Sequence, residues 1–369
     1  MVLEPTNEAE LADAIAGAAG PLRVRGGGTR PIGAPGEGEV LSVAGLSGIS
    51  LYEPGALTLV AAAGTPVAEI EAALEAEGQM LPFEPMDHRK LMGTEGAPTI
   101  GGVVAANVSG PRRVKVGACR DSLIGVRFVD GEGRRVKNGG RVMKNVTGYD
   151  LVKLMAGAYG TLGVLSEVSF KVLPKNGAQA TLVADGQSPT EAVAAMSAAL
   201  GSPFEVSGAA YHAGAGKTWL RIEGLEASVT YRFEQLVETL ARHGTWTQAD
   251  DADLWTSIRD VEMLADAPGD VWRVSLKGTD APEALSRVAP EDALLDWGGG
   301  LVWLRVAEGT DVRARLGGIA GHATLIRASE ATRAALPVFE PEPAPLKALA
   351  EGLRRQLDPK GILNPGLMG

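Results

Sequence analysis

The stretch LRVRGGGTRPIG, Leu22 to Gly33, constrains this chain more than any other. A short apolar strand runs into three consecutive glycines, then a hydroxyl, then a proline where a helix would be expected to begin. A Rossmann-type dinucleotide fold needs G-x-G-x-x-G at the strand exit, with a helix starting from that turn. Gly26 and Gly28 fit the first two positions, but Pro31 occupies the third. A proline there removes an amide and stops the turn from running into a phosphate-binding helix. A loop must therefore serve whatever these glycines approach. Its amides can bind an anionic oxygen without lysine, or the segment is a plain strand-exit turn.

Size and charge narrow the classes. The chain has 369 residues, 45% of them apolar, enough for two or three packed domains. A formal charge of -10 argues against a nucleic-acid-binding surface. The single cysteine, Cys119, has no internal disulfide partner, which fits a reducing compartment and an inert thiol. No apolar run reaches the roughly 18 to 20 residues of a membrane span, and MVLEPTNEAEL does not read as a signal peptide. A cytoplasmic location is expected.

The pattern predicts an α+β protein. Asn7 and Glu10 form a capping box for a helix carrying Leu11 and Ile15 that ends at Gly20-Pro21. LTLVAAAG is a strand, and Thr65-Pro66 opens a helix with Val67, Ile70 and Leu74 on one face. Pro174 to Gly177 marks the clearest composition break. Beyond it, strand-helix-strand-strand-helix recurs twice and a final strand, HATLIRA, closes the series. Such units give an antiparallel sheet with helices on one face. Pro337, Pro341, Pro343 and Pro345 form an extended tether to a last helix, LKALAEGLRRQL. The expected division is a first domain over 1-174 completed by 335-369, and a cap over 175-334.

Two further glycine segments join the first as ligand candidates. Thr99 to Gly110 carries Gly101, Gly102, Asn107 and Ser109 among small residues, suited to a flat ring or to a tightly packed bulged strand. Ala158 to Gly163 is the third. AGAGKTW, Ala213 to Trp219, mimics a phosphate loop, but Tyr211 stands where that motif requires glycine and a strand follows. The cluster Arg112, Arg113, Lys115 and Arg120 reads equally as a diphosphate or acidic-partner site and as a solvated loop. His322 is a candidate acid-base group, with a structural role as the alternative. Arg327 and Arg333 are candidate carboxylate receivers, with surface solvation as theirs. The four histidines show no pair at ligand spacing, so no metal site is expected.

VRGGGTR, LTLVAAAGTPVAEI, TIGGVVAANVSGPRRVKVGACRDSLIGV, VMKNVTGYDLVKLMAGAYGTLGVL and LDPKGILNPGLM occur in this order. Together they resemble the FAD-binding family typified by vanillyl-alcohol oxidase and p-cresol methylhydroxylase, and within it the E-subunit branch of bacterial glycolate oxidases. The resemblance implies a two-subdomain PCMH-type FAD-binding domain plus the α+β cap. It implies that Gly26, Gly27, Gly28 and Thr29 wrap the FAD pyrophosphate. Gly101, Gly102, Asn107, Ser109 and Gly110 would lie along the diphosphate, ribityl chain and isoalloxazine. Gly160, Leu162, Gly163 and Val164 would contact the cofactor through backbone, and Asn364, in Asn-Pro-Gly, would return from the C-terminal segment towards the flavin. Thr29 stands where berberine-bridge-type relatives carry the histidine that attaches flavin, so non-covalent FAD is expected. The histidine-rich metal segment and the Gly-Glu-His-Gly motif of D-2-hydroxyacid dehydrogenases are missing from this chain.

The implied role is the FAD-binding subunit of a glycolate (2-hydroxyacid) oxidoreductase complex. Its partners would be a larger FAD-containing catalytic subunit and an iron-sulfur subunit, and the complex would be cytoplasmic or peripheral at the inner face of the membrane. A self-sufficient 2-hydroxyacid dehydrogenase, a flavin reductase of cell-wall precursor synthesis and a non-redox assembly subunit without cofactor stay open as alternatives.

Overall fold

The computed structural model describes residues 2–33, 36–140 and 148–368. The segment MKNVTG, part of the motif quoted above, falls mostly outside these residues. The architecture is α+β, as the pattern predicts.

The chain opens with a small parallel sheet of Val2–Leu3, Glu39–Ser42 and Leu22–Arg25 in that order. Helix Glu8–Ala16 covers it, inserting Leu11 and Ile15 among Leu22, Leu41, Ile362 and Leu363. Asn7 caps this helix by accepting from the amides of Ala9 and Glu10. The Glu10 carboxylate bonds to Thr6 and to the Asn7 side chain rather than to the Asn7 amide, so the expected reciprocal box is only half formed. The helix ends at Ala16, with Gly17 as its cap, before the Gly-Pro pair is reached.

A five-stranded antiparallel sheet follows, ordered Ile49–Glu53, Thr58–Ala62, Val164–Lys171, Leu123–Val129 and Arg135–Gly139. Helix Val67–Ala76 packs through Val67, Ile70 and Leu74, the residues its spacing marks. Thr99 to Gly110 is not a bulged strand: Ile100–Ala105 form a short helix, and Asn107 turns the chain with φ 48°.

Beyond Pro174 lies an eight-stranded sheet in which every pairing is antiparallel. Ala178–Ala184, Gly208–His212 and Lys217–Gly224 are the first unit's strands, and Asp270–Leu276, Asp292–Asp296 and Leu301–Val306 are the second's. The middle strands of the two units pair, Tyr211 with Leu295, so the units run outwards from that seam in mirrored order. AGAGKTW begins as the hairpin turn between Gly208–His212 and Lys217–Gly224, which rules out a phosphate loop.

Buried ion pairs join strand Lys217–Gly224 of the eight-stranded sheet to the loops that carry Glu84 and Arg112. Arg221, only 1% exposed, donates to both carboxylate oxygens of Glu84 at 2.9 Å. Arg112 donates through Nε to Glu223 at 3.0 Å. The Trp297 indole donates to the Gly110 carbonyl at 3.0 Å. No helix among the described residues is long and apolar enough to cross a membrane.

Candidate active site

Strand Leu22–Arg25 delivers its glycines against a second loop. A Cβ on Gly27 would fall inside the Ala97 carbonyl, and one on Gly96 would meet the Gly27 oxygen at 2.5 Å. Two main chains thus lie back to back, which no side chain permits at either position. Thr94 Oγ1 fixes the arrangement by donating to the Thr29 carbonyl at 2.9 Å. The glycines therefore serve first to seat one loop on another.

Helix Ile100–Ala105 starts at this junction. A Cβ on Gly101 would press on Ala63 at 2.7 Å, so Gly101 sets the approach of the helix to strand Thr58–Ala62. Gly102 is less enclosed: such a Cβ would come within 3.2 Å of Thr99 Oγ1, a tight contact with a side chain rather than main chain, and 3.9 Å of Arg30. The third loop hangs from this helix, as the Tyr159 amide donates to the Ala105 carbonyl at 2.8 Å.

The three segments enclose a cavity of about 500 Å³. Gly26, Gly27, Gly28 and Thr29 line one side, and Thr99, Gly101 and Gly102 another. Gly160, Gly163, Val164 and Asn364 complete it. A second cavity of about 390 Å³ shares Arg30, Ile32, Ala106 and Tyr159 with the first and reaches the cap. Asn107, Ser109 and His322 line this second space.

Arg23, Arg25 and Arg30 line the first cavity; Arg30, Arg113, Arg120 and Arg273 line the second. Among the described residues, neither lining includes a carboxylate. In a chain of net charge -10 this is a concentrated positive field. Two buried polar atoms on the lining, Thr99 Oγ1 and Arg30 Nε, have no hydrogen-bond partner among the described residues. Buried polar atoms left unpaired call for a ligand or water. An extended apolar cavity with cationic walls and unpaired polar groups fits a dinucleotide cofactor carrying a diphosphate.

Burial lowers the Arg30 pKa and, aided by Arg30, drops the buried His88 well below the usual histidine range. Burial together with Arg273 also lowers His322, which is thus mainly neutral at pH 7. The Cys119 thiol is buried and its pKa pushed up, leaving it protonated and inert.

Several expectations need correction. Arg327 donates to the carbonyls of Leu91, Leu264, Ala265 and Ala267, so its guanidinium is spent on bracing loops and cannot receive a substrate carboxylate. Arg333 likewise bonds to the Ile326 and Ala328 carbonyls. Gly110 lines neither cavity: its amide donates to Phe83 and its carbonyl accepts from Trp297, which makes it a joint beneath the cap. Leu162 is packed in the core and lines neither cavity. The basic cluster divides, Arg112 into a buried ion pair, Lys115 into a pair with Glu205, and Arg113 and Arg120 onto the second cavity.

Sequence reasoning missed Arg30, Tyr159, Arg273, Ser275 and Thr324, all on the second cavity. The signal was present in VWRVSL, where polar Arg273 and Ser275 alternate with apolar residues and so mark a strand's second face.

Residues 1–139 match the FAD binding domain family, and with the glycolate oxidase relative given below this puts the chain in the class of FAD-dependent oxidoreductases. Alkyldihydroxyacetonephosphate synthase has the same fold, with a TM-score of 0.69 and 16% identity over 99% of this chain and 76% of that one. Glycolate oxidase subunit GlcE of Escherichia coli (strain K12) is 39% identical over 352 residues, 94% of this chain and 92% of that protein. Glycolate oxidase subunit GlcD of Bacillus subtilis (strain 168) is 34% identical over 167 residues, 44% of this chain and 34% of that one. The chain belongs to the family of glycolate oxidase E subunits.

Proposed function

We propose that this chain is the FAD-holding subunit of a glycolate-type 2-hydroxyacid oxidoreductase and binds its flavin non-covalently in the two connected cavities. The observation that carries the reading is the meeting of three glycine-bearing segments on one carboxylate-free cavity with unpaired polar atoms. The amides of Gly26 to Thr29, with Arg23, Arg25 and Arg30 nearby, would hold the diphosphate. Gly101 and Gly102 would admit the cofactor close to the main chain, Asn107 and Ser109 would lie beside its far end, and Gly160, Gly163, Val164 and Asn364 would close the opposite wall. When bound, FAD supplies hydride and single-electron chemistry, while the protein positions it and sets its electrostatic surroundings. The unit serving this role is residues 1–174 with 335–369, the cap being 175–334.

The partners in this reading are a larger FAD-containing catalytic subunit and an iron-sulfur subunit that passes electrons onward, in a cytoplasmic complex that is peripheral at the inner membrane face. GlcE and GlcD are both named as glycolate oxidase subunits, which supports a multi-subunit assembly. Acid precipitation of the yellow protein tests the non-covalent assignment: all flavin should appear in the supernatant, and colour retained in the pellet refutes it. Co-expression tests the assembly, with co-purification of a longer flavin subunit expected and its consistent absence counting against the reading.

A further inference from the structure

We propose that the second cavity is a carboxylate-binding site belonging to this chain, with Arg273 as the receiving group, for the anion of a small 2-hydroxy or 2-oxo acid. The choice of acid rests on the flavin reading above; the anion site itself rests on the cap sheet.

Strand Asp270–Leu276 alternates between two faces. Trp272 turns towards helix Val312–Leu316, whose Arg313 lies 4.7 Å over its ring. Arg273 and Ser275 consequently point the other way, into the cavity. Register places Thr324 opposite Arg273 and His322 opposite Ser275 on the neighbouring strand, and Trp303 opposite Arg273 on the other side. All five line the same space. Cross-strand neighbours on one face stand close enough to share a ligand.

Beyond the sheet ladder of its backbone, Arg273 makes no side-chain hydrogen bond or ion pair among the described residues. It is held only by aromatic faces, 5.4 Å from the Trp297 ring centre and 6.0 Å from that of Trp303. Arg113, reaching up from the flavin-side domain, lies 4.3 Å over the same Trp297 ring. Trp297 is fixed between domains by its bond to Gly110 and has φ 55°, a left-handed conformation that costs energy for a bulky residue. Two guanidiniums thus share one clamped indole with no acid on the cavity wall. The carboxylate in their field, Asp296, accepts from the Trp297 amide, and burial raises its pKa to about 7. Burial lowers Arg273 only to about 10, so it remains a cation at neutral pH.

A half-buried guanidinium with no carboxylate bonded to it keeps its donors free, and an arriving anion can take them up. The guanidinium fork matches the two coplanar oxygens of a carboxylate. Ser275, Thr324 and the mainly neutral His322 offer hydrogen bonds beside the fork, where an oxygen on the carbon next to the carboxylate would sit. Acetate lacks that oxygen, and glycolate carries it.

Calorimetric titration of the purified chain with glycolate, acetate and inorganic phosphate tests the site, with bound flavin measured separately on every sample. Glycolate should bind at one site per chain and quench tryptophan fluorescence through Trp297 and Trp303. R273M should weaken it at least tenfold, R273K should recover part of the loss, and K115M should match the parent. T324V should weaken glycolate several-fold and leave acetate unchanged, which keeps the idea testable should R273M fold poorly. Equal glycolate affinity in the parent, R273M and T324V, or tighter binding of phosphate than of glycolate, would overturn the proposal. Glycolate binding by flavin-free protein would leave this site standing and count against the cofactor assignment, whereas yellow protein that ignores glycolate would do the reverse.

Discussion

The Asn364 side-chain oxygen accepts from the Val24 amide at 2.8 Å, joining residues 340 positions apart at the edge of the first cavity. The same carboxamide donates through Nδ2 to the Tyr159 carbonyl at 2.8 Å. One side chain thus ties the strand before the glycines to the third loop. Its backbone has φ 45°, which asparagine tolerates better than most residues.

Replacing Asn364 by leucine should therefore loosen two walls at once. Two main-chain groups lose their partners, at about 1 to 3 kcal/mol each if they stay buried. The expected result is a lower thermal midpoint and flavin affinity reduced at least tenfold, read by differential scanning fluorimetry and flavin titration. Unchanged flavin affinity would show that the brace does not shape the cavity.

Gly27 and Gly102 separate packing from ligand space. G27A should unseat the loop from Ala97 and lower both stability and flavin retention. G102A places its methyl towards the cavity and gains helix propensity of about 1 kcal/mol, so it should fold at least as well as the parent yet hold flavin less tightly. The measurement is melting temperature against the visible flavin absorbance of desalted protein.

Arg221 should be among the costliest residues to change. R221M leaves Glu84 and Glu223 buried without their main counter-charge, a loss of about 3 to 5 kcal/mol. Denaturant unfolding of R221M, E84Q and the double variant would measure the coupling. Strict additivity would show that the pair contributes nothing beyond its separate members.

Acid should weaken the same joint. Burial alone would raise the Glu223 carboxyl, but the Arg221 and Arg112 guanidiniums outweigh it and hold it at about 2, against an ordinary value of 4.5. A lowered carboxylate pKa adds stability above the unfolded value and loses it as pH falls through the folded one. The chain should lose on the order of 3 kcal/mol between pH 4.5 and pH 2 from this group, and E223Q should flatten that slope. An identical slope in E223Q would assign the acid sensitivity elsewhere.

Local signals carried much of this architecture. Helix Val67–Ala76 and the doubled cap unit follow from apolar spacing and turn residues that act within a few positions. The meeting of Gly27 with Ala97, or of Gly110 with Trp297, depends on tertiary approach, which no local pattern encodes. For that reason the loop-packing role of Gly27, which also lines the cavity, was not legible, and Arg327 read as a receptor when carbonyls from two segments already surround it. Arg273 was legible in principle by strand alternation, but only the sheet order brings it beside His322 and Thr324.

Leu363 bridges to Leu22 in parallel, and the Asn364 amide donates to the Leu22 carbonyl at 2.9 Å. On a translating ribosome, the glycine loop is thus made early and must wait for some 340 further residues before this lock arrives. Cofactor capture in the cell should accordingly be a late event, following emergence of Asn364 rather than of the glycines.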